Sequence, residues 1–489
     1  MNTQANIVEQ IWKEHIFQGN WIKTNNLSRD IINPATGEMI STVQLASLDN
    51  VNSSVEIAVE AQKSWKNTSF ESRAKILRKA AQFFEENIQT FIDWNVQECG
   101  STLLKAGWEA NACIEQLYMA SSMPMAAAGE IFPSSISGRT NVWQRVPLGV
   151  VGVISPWNFP LLLSIRSIAP ALAMGNSVIL KPSEFSNVTG GALLAWLFQM
   201  SGLPEGNFQV ISGESEIGEA LVNHPLVNLI SFTGSTAVGK KIAESCAKQL
   251  KKCVLELGGN NAMIICEDAD IDTAVNNAVW GSFLHQGQIC MQTGRHLVHR
   301  SIADEYIQKL KEKASSLKVG DPSSPETQLG PLINANQHQK VCRMVETAVE
   351  QGATLECGGQ GDQLFFHPAV VTNISKDNPL FTHEIFGPVA PILIFDDIAE
   401  AIEIVNSSKY GLAVAIHTAR IAWAYDLAKD IKSGMIHIND QTVNNEYHVP
   451  FGGMGESGYG GRFGGPANFD EFSQRQWVSI LDKGIQYPL

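Results

Sequence analysis

Hydrophobic positions along the chain follow two patterns that alternate. Short β-branched runs at Val150–Ile154, Ser177–Leu180, Phe208–Ile211 and Leu229–Phe232 predict strands. Between them, Gly190–Met200 and Ala237–Lys248 have helical spacing, and in the second Val238, Ile242 and Cys246 fall at i, i+4 and i+8. Strands alternating with helices predict a parallel, doubly wound sheet with ligands at the carboxyl ends of its strands. A second series starts at Cys253–Leu257 and Ala262–Cys266, takes in a helix at Ile302–Ser316, and runs past Val370 to Leu412–Ile416 and Gly434–Asn439. No long Ser/Pro-rich linker divides the two series, so their domains are expected to share a broad interface. Met125–Arg145 fits neither pattern and reads as a protruding hairpin or arm. There is no internal repeat or low-complexity tract.

A chain of 489 residues is too long for a single core, so two or three domains are expected. A composition of 44% hydrophobic and 17% charged residues describes an ordinary globular enzyme and argues against extensive disorder. The net charge of -14 repels phosphate backbones and anionic lipid, so neither a nucleic-acid nor a membrane partner is expected. No segment approaches the ~18 unbroken apolar residues of a membrane span. The polar N-terminus lacks the apolar core of a secretory signal. Eight cysteines without a CxxC pair argue against a disulfide framework or a zinc site. A reducing, cytoplasmic setting and no metal are the expectation.

Among the cysteines, Cys246, Cys253, Cys266 and Cys342 fall at apolar-periodic positions, where a thiol behaves as a small hydrophobe. Cys99, Cys113 and Cys357 lie near predicted element ends. Cys290 differs, because glycine and amide residues break a helical run around it (His285-Gln286-Gly287-Gln288-Ile289-Cys290). A thiol in such a turn, near helix dipoles, is expected to have a depressed pKa and to be reachable by substrate. Glu256 stands in an apolar strand directly before Gly258-Gly259, where burial would raise its pKa towards that of a general base, unless it caps the next turn.

Asn158, in Pro156-Trp157-Asn158-Phe159-Pro160, could donate to an oxyanion or hold a turn before a helix. Lys181 and Glu184, in Lys181-Pro182-Ser183-Glu184, could bind ribose hydroxyls or form a solvated turn. Phe232–Lys241 offers N–H groups at a helix start, suited to a pyrophosphate. It mimics a Walker A loop, but Lys241 replaces the hydroxyl residue that magnesium requires, which makes an ATP-driven protein a remote alternative. Glu384–Val389 and the glycine-rich Pro450–Gly458 read alone as loop punctuation.

Taken together and in order, PWNFP, KPSE, FTGSTAVG, LELGGN, GQIC, EIFGP and PFGGMGESG make the chain resemble the NAD(P)-dependent aldehyde dehydrogenase family. The likeness runs from about residue 16 to near the end. It implies an α/β, aldehyde dehydrogenase-like fold in three parts. These are a Rossmann-type cofactor domain (1–124 and 146–255), an α/β catalytic domain (256–465), and a β-rich oligomerisation arm and tail (125–145 and 466–489) of a homodimer or homotetramer. It implies Cys290 as nucleophile, Glu256 as general base, and Asn158 as oxyanion donor beside the Cys290 backbone N–H. Lys181 and Glu184 would meet the adenosine ribose, Gly234, Ser235 and Gly239 the pyrophosphate, and Glu384 the nicotinamide ribose. Ile154, Trp157, Gly213, Leu257 and Phe386 complete the implied cofactor contacts. The Glu184 carboxylate suits a free 2′-hydroxyl and would repel a 2′-phosphate, which favours NAD.

Three departures from the family pattern narrow this expectation. His285 stands where asparagine is usual, Phe463 replaces the glutamate of an SGxGRE tail, and Arg166 replaces the aromatic residue of many aliphatic-aldehyde enzymes. His285 could activate Cys290 or, given the short spacing, orient its loop. With Phe91–Gly100, HQGQ, HINDQ and GGRFGG, these departures resemble the bacterial branch that oxidises benzaldehyde to benzoate. A flat apolar slot is then expected from Phe159, Leu162, Leu163, Arg166, Leu284, Ile289 and Phe451. The alternatives are vanillin, salicylaldehyde or an aliphatic aldehyde as substrate, or a non-catalytic structural member of the fold.

Overall fold

The β-branched runs in the middle of the chain line up in one sheet. In the computed structural model, which describes residues 10–126 and 128–487, the spatial order is Phe208–Val210, Ser177–Lys181, Val150–Ile154, Val227–Thr233, Lys252–Glu256, all parallel. Residues 1–9, 127, 488 and 489 lie outside the described residues; they include parts of the expected arm and tail and most of the N-terminal segment read for a secretory signal. The chain steps outward twice from Val150–Ile154, then returns to its other side, so a topological switch point separates that strand from Val227–Thr233. Antiparallel strands close both edges: His15–Phe17, paired with Trp21–Lys23, at one, and Gly458–Tyr459 at the other. Gly458–Tyr459 thus reaches the first sheet from the segment expected to belong with the second unit.

Helices cover both faces, so the strands read as continuous apolar runs. The Pro160–Ala173 helix is buried along its whole length. Gly190–Met200 departs from a regular helix at its start: Ala192 N–H bonds to the Asn187 carbonyl in a wider turn, and the α-helix proper spans Leu193–Met200. Four helices before Gly129 (Leu48–Trp65, Phe70–Glu86, Ile88–Cys99, Leu103–Ser122) were not read from the sequence. The last of them places Cys113 mid-helix and fully buried, not near an element end as its neighbours suggested.

The second series does not start at Cys253–Leu257, because that strand pairs with Val227–Thr233 in the first sheet. From Asn261 on, the series forms a sheet in the order Thr354–Cys357, Ala369–Thr372, Val389–Phe395, Thr293–His299, Asn261–Ile265, Ala413–His417, Met435–Ile438. Only the first pairing is antiparallel. The chain passes from one sheet to the other through Leu257–Asn260, so the end of the Glu256 strand faces the start of the next sheet. One apolar cluster joins Leu161, Val178 and Leu197 to Ile289, Met291, Leu412, Phe451 and Phe463, so the two series share a core. Within Met125–Arg145 a hairpin forms from Gly129–Phe132 and Arg139–Pro147, and Ser473–Leu481 adds a third strand along Arg139–Pro147. Ile131, Trp143, Trp477 and Ile480 of this small sheet are exposed.

Candidate active site

The parallel register sets the carboxyl ends of four strands in one row. Ile154 pairs with both Lys181 and Phe232, and Thr233 pairs with Glu256. Beside this row lies a cavity of about 230 Å³ bordered by Trp157, Asn158, Leu163, Gly234, Ser235, Glu256, Leu257, Cys290, Glu384 and Phe386. Ser235 starts the Thr236–Lys248 helix, its hydroxyl accepting the Val238 N–H at 3.4 Å. Ile154, Lys181, Glu184, Gly213 and Gly239 do not border this cavity. They follow the same sheet edge: Lys181 is buried with its ammonium 3.9 Å from Glu184, and Gly239 is buried in the helix that Ser235 starts.

Two glycines allow the loops to meet. A Cβ on Gly258 would stand 2.3 Å from the Glu384 carboxylate, and one on Gly259 would stand 2.7 Å from the Cys290 carbonyl. Glu384 also accepts the Gly259 N–H at 3.1 Å, and burial pushes its carboxyl up to about 7. The Cys290 loop is tied down from several sides. Asn261 donates to the Cys290 and Gln292 carbonyls at 2.9 and 2.8 Å, Thr442 to the Met291 carbonyl at 2.7 Å, and Gln292 to the Gly387 carbonyl. Asn158 donates through Nδ2 to the Gln288 carbonyl at 2.9 Å, while its Oδ1 is buried without a partner.

The Cys290 thiol corrects an expectation. Its turn suggested a depressed pKa, whereas burial pushes it up to about 12. The Arg166 charge works against that rise, and Glu384 and Glu256 add to it. Among the described residues no side chain donates a hydrogen bond to the sulfur, and the Met291 N–H lowers the thiol too little to offset desolvation. Glu256 is buried, with the Gly453 backbone near its carboxylate and no side-chain donor on it among the described residues. Burial raises it to about 8 against the opposing charges of Arg166 and Arg462, so it does not cap the next turn.

On the other side of Cys290 opens a cavity of about 440 Å³, bordered by all seven of Phe159, Leu162, Leu163, Arg166, Leu284, Ile289 and Phe451. Trp108, Trp280, Tyr447 and the polar Asn111, Glu115, Gln441 and Asn444 also border this cavity, beyond the residues the sequence pointed to. These residues come from three distant segments, and none is unusual in its local context. Arg166 lies buried in the Pro160–Ala173 helix, with its guanidinium 5.0 Å over Phe451 and 4.6 Å over Phe463 and one hydrogen bond of 3.0 Å to Thr233. Phe463 is therefore a stacking surface for Arg166. His285 is fully buried at φ +49°, its ring 5.6 Å from that of Phe159 and close to the Asn158 backbone. Burial, with the Lys105 charge, holds it neutral and well below the usual histidine range.

The family model for the aldehyde dehydrogenase family matches residues 21–478. Over 98% of its length the chain is 48% identical to benzaldehyde dehydrogenase [NAD(+)] of Pseudomonas putida, covering 99% of that protein. It is 44% identical to a vanillin dehydrogenase of an Amycolatopsis species, covering 98% of this chain and 99% of the relative. Among solved structures, betaine aldehyde dehydrogenase of Staphylococcus aureus in complex with NAD+ superposes with a TM-score of 0.94 at 31% identity, over 99% of this chain and 98% of the other. Among the described residues no helix is long and apolar enough to cross a membrane.

Proposed function

The chain belongs to the aldehyde dehydrogenase family, and from that membership we propose that it oxidises benzaldehyde, or a close aromatic relative, to the carboxylic acid with NAD. The observation that carries the aromatic choice is the 440 Å³ cavity over Cys290, whose inner wall is Phe159, Leu162, Leu163, Ile289 and Phe451. The names of the two similar proteins above, a benzaldehyde and a vanillin dehydrogenase, point the same way. The buried Arg166 charge at this cavity disfavours a cationic aldehyde. Residues 1–124 and 146–255 are assigned to cofactor binding, 256–465 to catalysis, and 125–145 with 466–489 to assembly.

The sheet edge fits NAD. Glu384 is wedged against the bare Gly258 Cα with one oxygen fixed by Gly259, which leaves the other for a ribose hydroxyl. The helix begun by Ser235 presents N–H groups to a pyrophosphate, and Glu184 suits a 2′-hydroxyl. When bound, NAD supplies the acceptor that turns the substrate–cysteine adduct into a thioester. The protein's own part starts with the thiol. Because Cys290 is neutral at pH 7, its proton passes to the ionised form of Glu256, the minority form at that pH, as the sulfur attacks the aldehyde carbon. The new oxyanion is met by the Asn158 amide and the Cys290 N–H; such a donor is typically worth ~10²–10³ in rate. Glu256, once it has lost that proton to solvent, takes one from the water that attacks the thioester and releases the acid.

Initial rates of NADH formation across an aldehyde panel test this. Benzaldehyde should exceed hexanal and betaine aldehyde in kcat/KM by about tenfold or more, equivalent to ~1.4 kcal/mol of transition-state binding. The reverse order would remove the aromatic assignment. NAD binding without turnover of any aldehyde would favour a structural member of the fold. The exposed Ile131, Trp143, Trp477 and Ile480 support a further reading, that the small sheet seats a second copy of the chain. Sedimentation should then give a dimer or tetramer, and a monomer at micromolar concentration contradicts it.

A further inference from the structure

Behind the Phe159 wall lies a polar network that the mechanism above leaves unused. Lys105 and Glu109 on the Leu103–Ser122 helix form an ion pair of 2.6 Å with no side-chain exposure. The same carboxylate oxygen accepts Asn95 Nδ2 at 2.7 Å, and the Lys105 ammonium also donates to Ser101 Oγ at 3.0 Å. Ion pairs this deep cost desolvation and are often no better for stability than apolar residues of the same volume. What this pair supplies is direction.

Its second oxygen points at the start of the Pro160–Ala173 helix. That helix begins at Phe159, which has no side chain to cap it, and at Pro160, which has no N–H. Glu109 Oε1 takes over, accepting the Leu161 and Leu162 N–H groups at 2.9 and 3.0 Å, so that one helix caps another through a negative charge at its N-terminus. The Lys105 ammonium lies 4.4 Å from the Phe159 ring centre, and Trp108 and His285 meet that ring edge-on at 5.9 and 5.6 Å. The residue before Phe159 is Asn158, which reaches the Cys290 loop through the Gln288 carbonyl.

We propose that Lys105 and Glu109 are positioning residues that hold the Asn158–Phe159 turn against the Cys290 loop and so fix where the Asn158 amide meets the oxyanion. This rests on the assignment of Asn158 as oxyanion donor. Glutamine at 109 can keep an oxygen on the helix N–H groups, but it turns an NH₂ towards two donors, Lys105 and Asn95. The turn must then shift.

The test is a double-mutant cycle on the full chain, read as single-turnover NADH formation from benzaldehyde with saturating NAD. Glu109→Gln should slow this step by about tenfold or more and raise its isotope effect with deuterated aldehyde, with the NAD dissociation constant unchanged within about twofold. In an Asn158→Ala background the same substitution should add less than about twofold. If Glu109→Gln alone is insoluble, the neutral pair Lys105→Met/Glu109→Gln replaces it in the cycle. Independent, multiplying effects, or no slowing by Glu109→Gln, overturn the positioning role while leaving Asn158 in place. A wild-type rate for Asn158→Ala alone overturns the oxyanion assignment, and this inference with it.

Discussion

Arg166 sets the charge balance of the candidate site. Its guanidinium is stacked between Phe451 and Phe463 and has one side-chain hydrogen bond, so much of its charge acts on its surroundings. It lowers both Glu256 and Cys290, although burial wins at each and leaves them near 8 and 12. Glu256 is therefore mostly protonated at pH 7, and its basic form grows as pH rises through about 8. Turnover should rise over that window in the wild type. Arg166→Met keeps the bulk between the two rings and removes the charge, so it should move the rise to higher pH. An unchanged pH profile of kcat contradicts this electrostatic role. The sequence showed where these groups are, because a glutamate before two glycines and a cysteine in a glycine turn are unusual in context. It did not show the sign of the thiol's shift, because that depends on which distant segments desolvate it.

At the scale of elements, the turn at His285–Gln286 is the clearest constraint. Both residues hold positive φ, +49° and +57°, a region that costs most side chains roughly 1–2 kcal/mol and that asparagine tolerates better. Burial and the Lys105 charge keep His285 neutral beside Phe159, which favours a positioning role over proton transfer. His285→Asn should therefore keep kcat/KM within about threefold with the same pH profile. A loss of ~10² or more, the usual scale of a missing general base, contradicts that reading. Periodicity located four parallel strands of the first sheet to within about two residues, but it put the Lys252–Glu256 strand with the second series and missed the edge strands and the Ser215–Asn223 helix. It missed the four N-terminal helices and with them Trp108, Lys105 and Glu109. A helix that caps another helix's N-terminus from across the fold has no local signature.

At the scale of the whole molecule, two sheets meet end to start at Leu257–Asn260, and the candidate site lies in that seam. The alternation of strands and helices foretold two α/β series, and the absence of a linker foretold their shared core. The order of seven short motifs made the family legible where no single motif did. The mouth of the cavity was not legible, since Trp108, Trp280 and Tyr447 converge only when both units are folded. The central claim is that Cys290 forms a covalent bond to the aldehyde carbon. Mass spectrometry of the wild-type protein, acid-quenched during its first turnover with benzaldehyde and NAD and then digested, tests it most directly. One benzoyl group on the peptide carrying Cys290, absent from Cys290→Ala protein and absent without NAD, is the expected result. A benzoyl group on another residue, or NADH formation at the wild-type rate by Cys290→Ala, would contradict it.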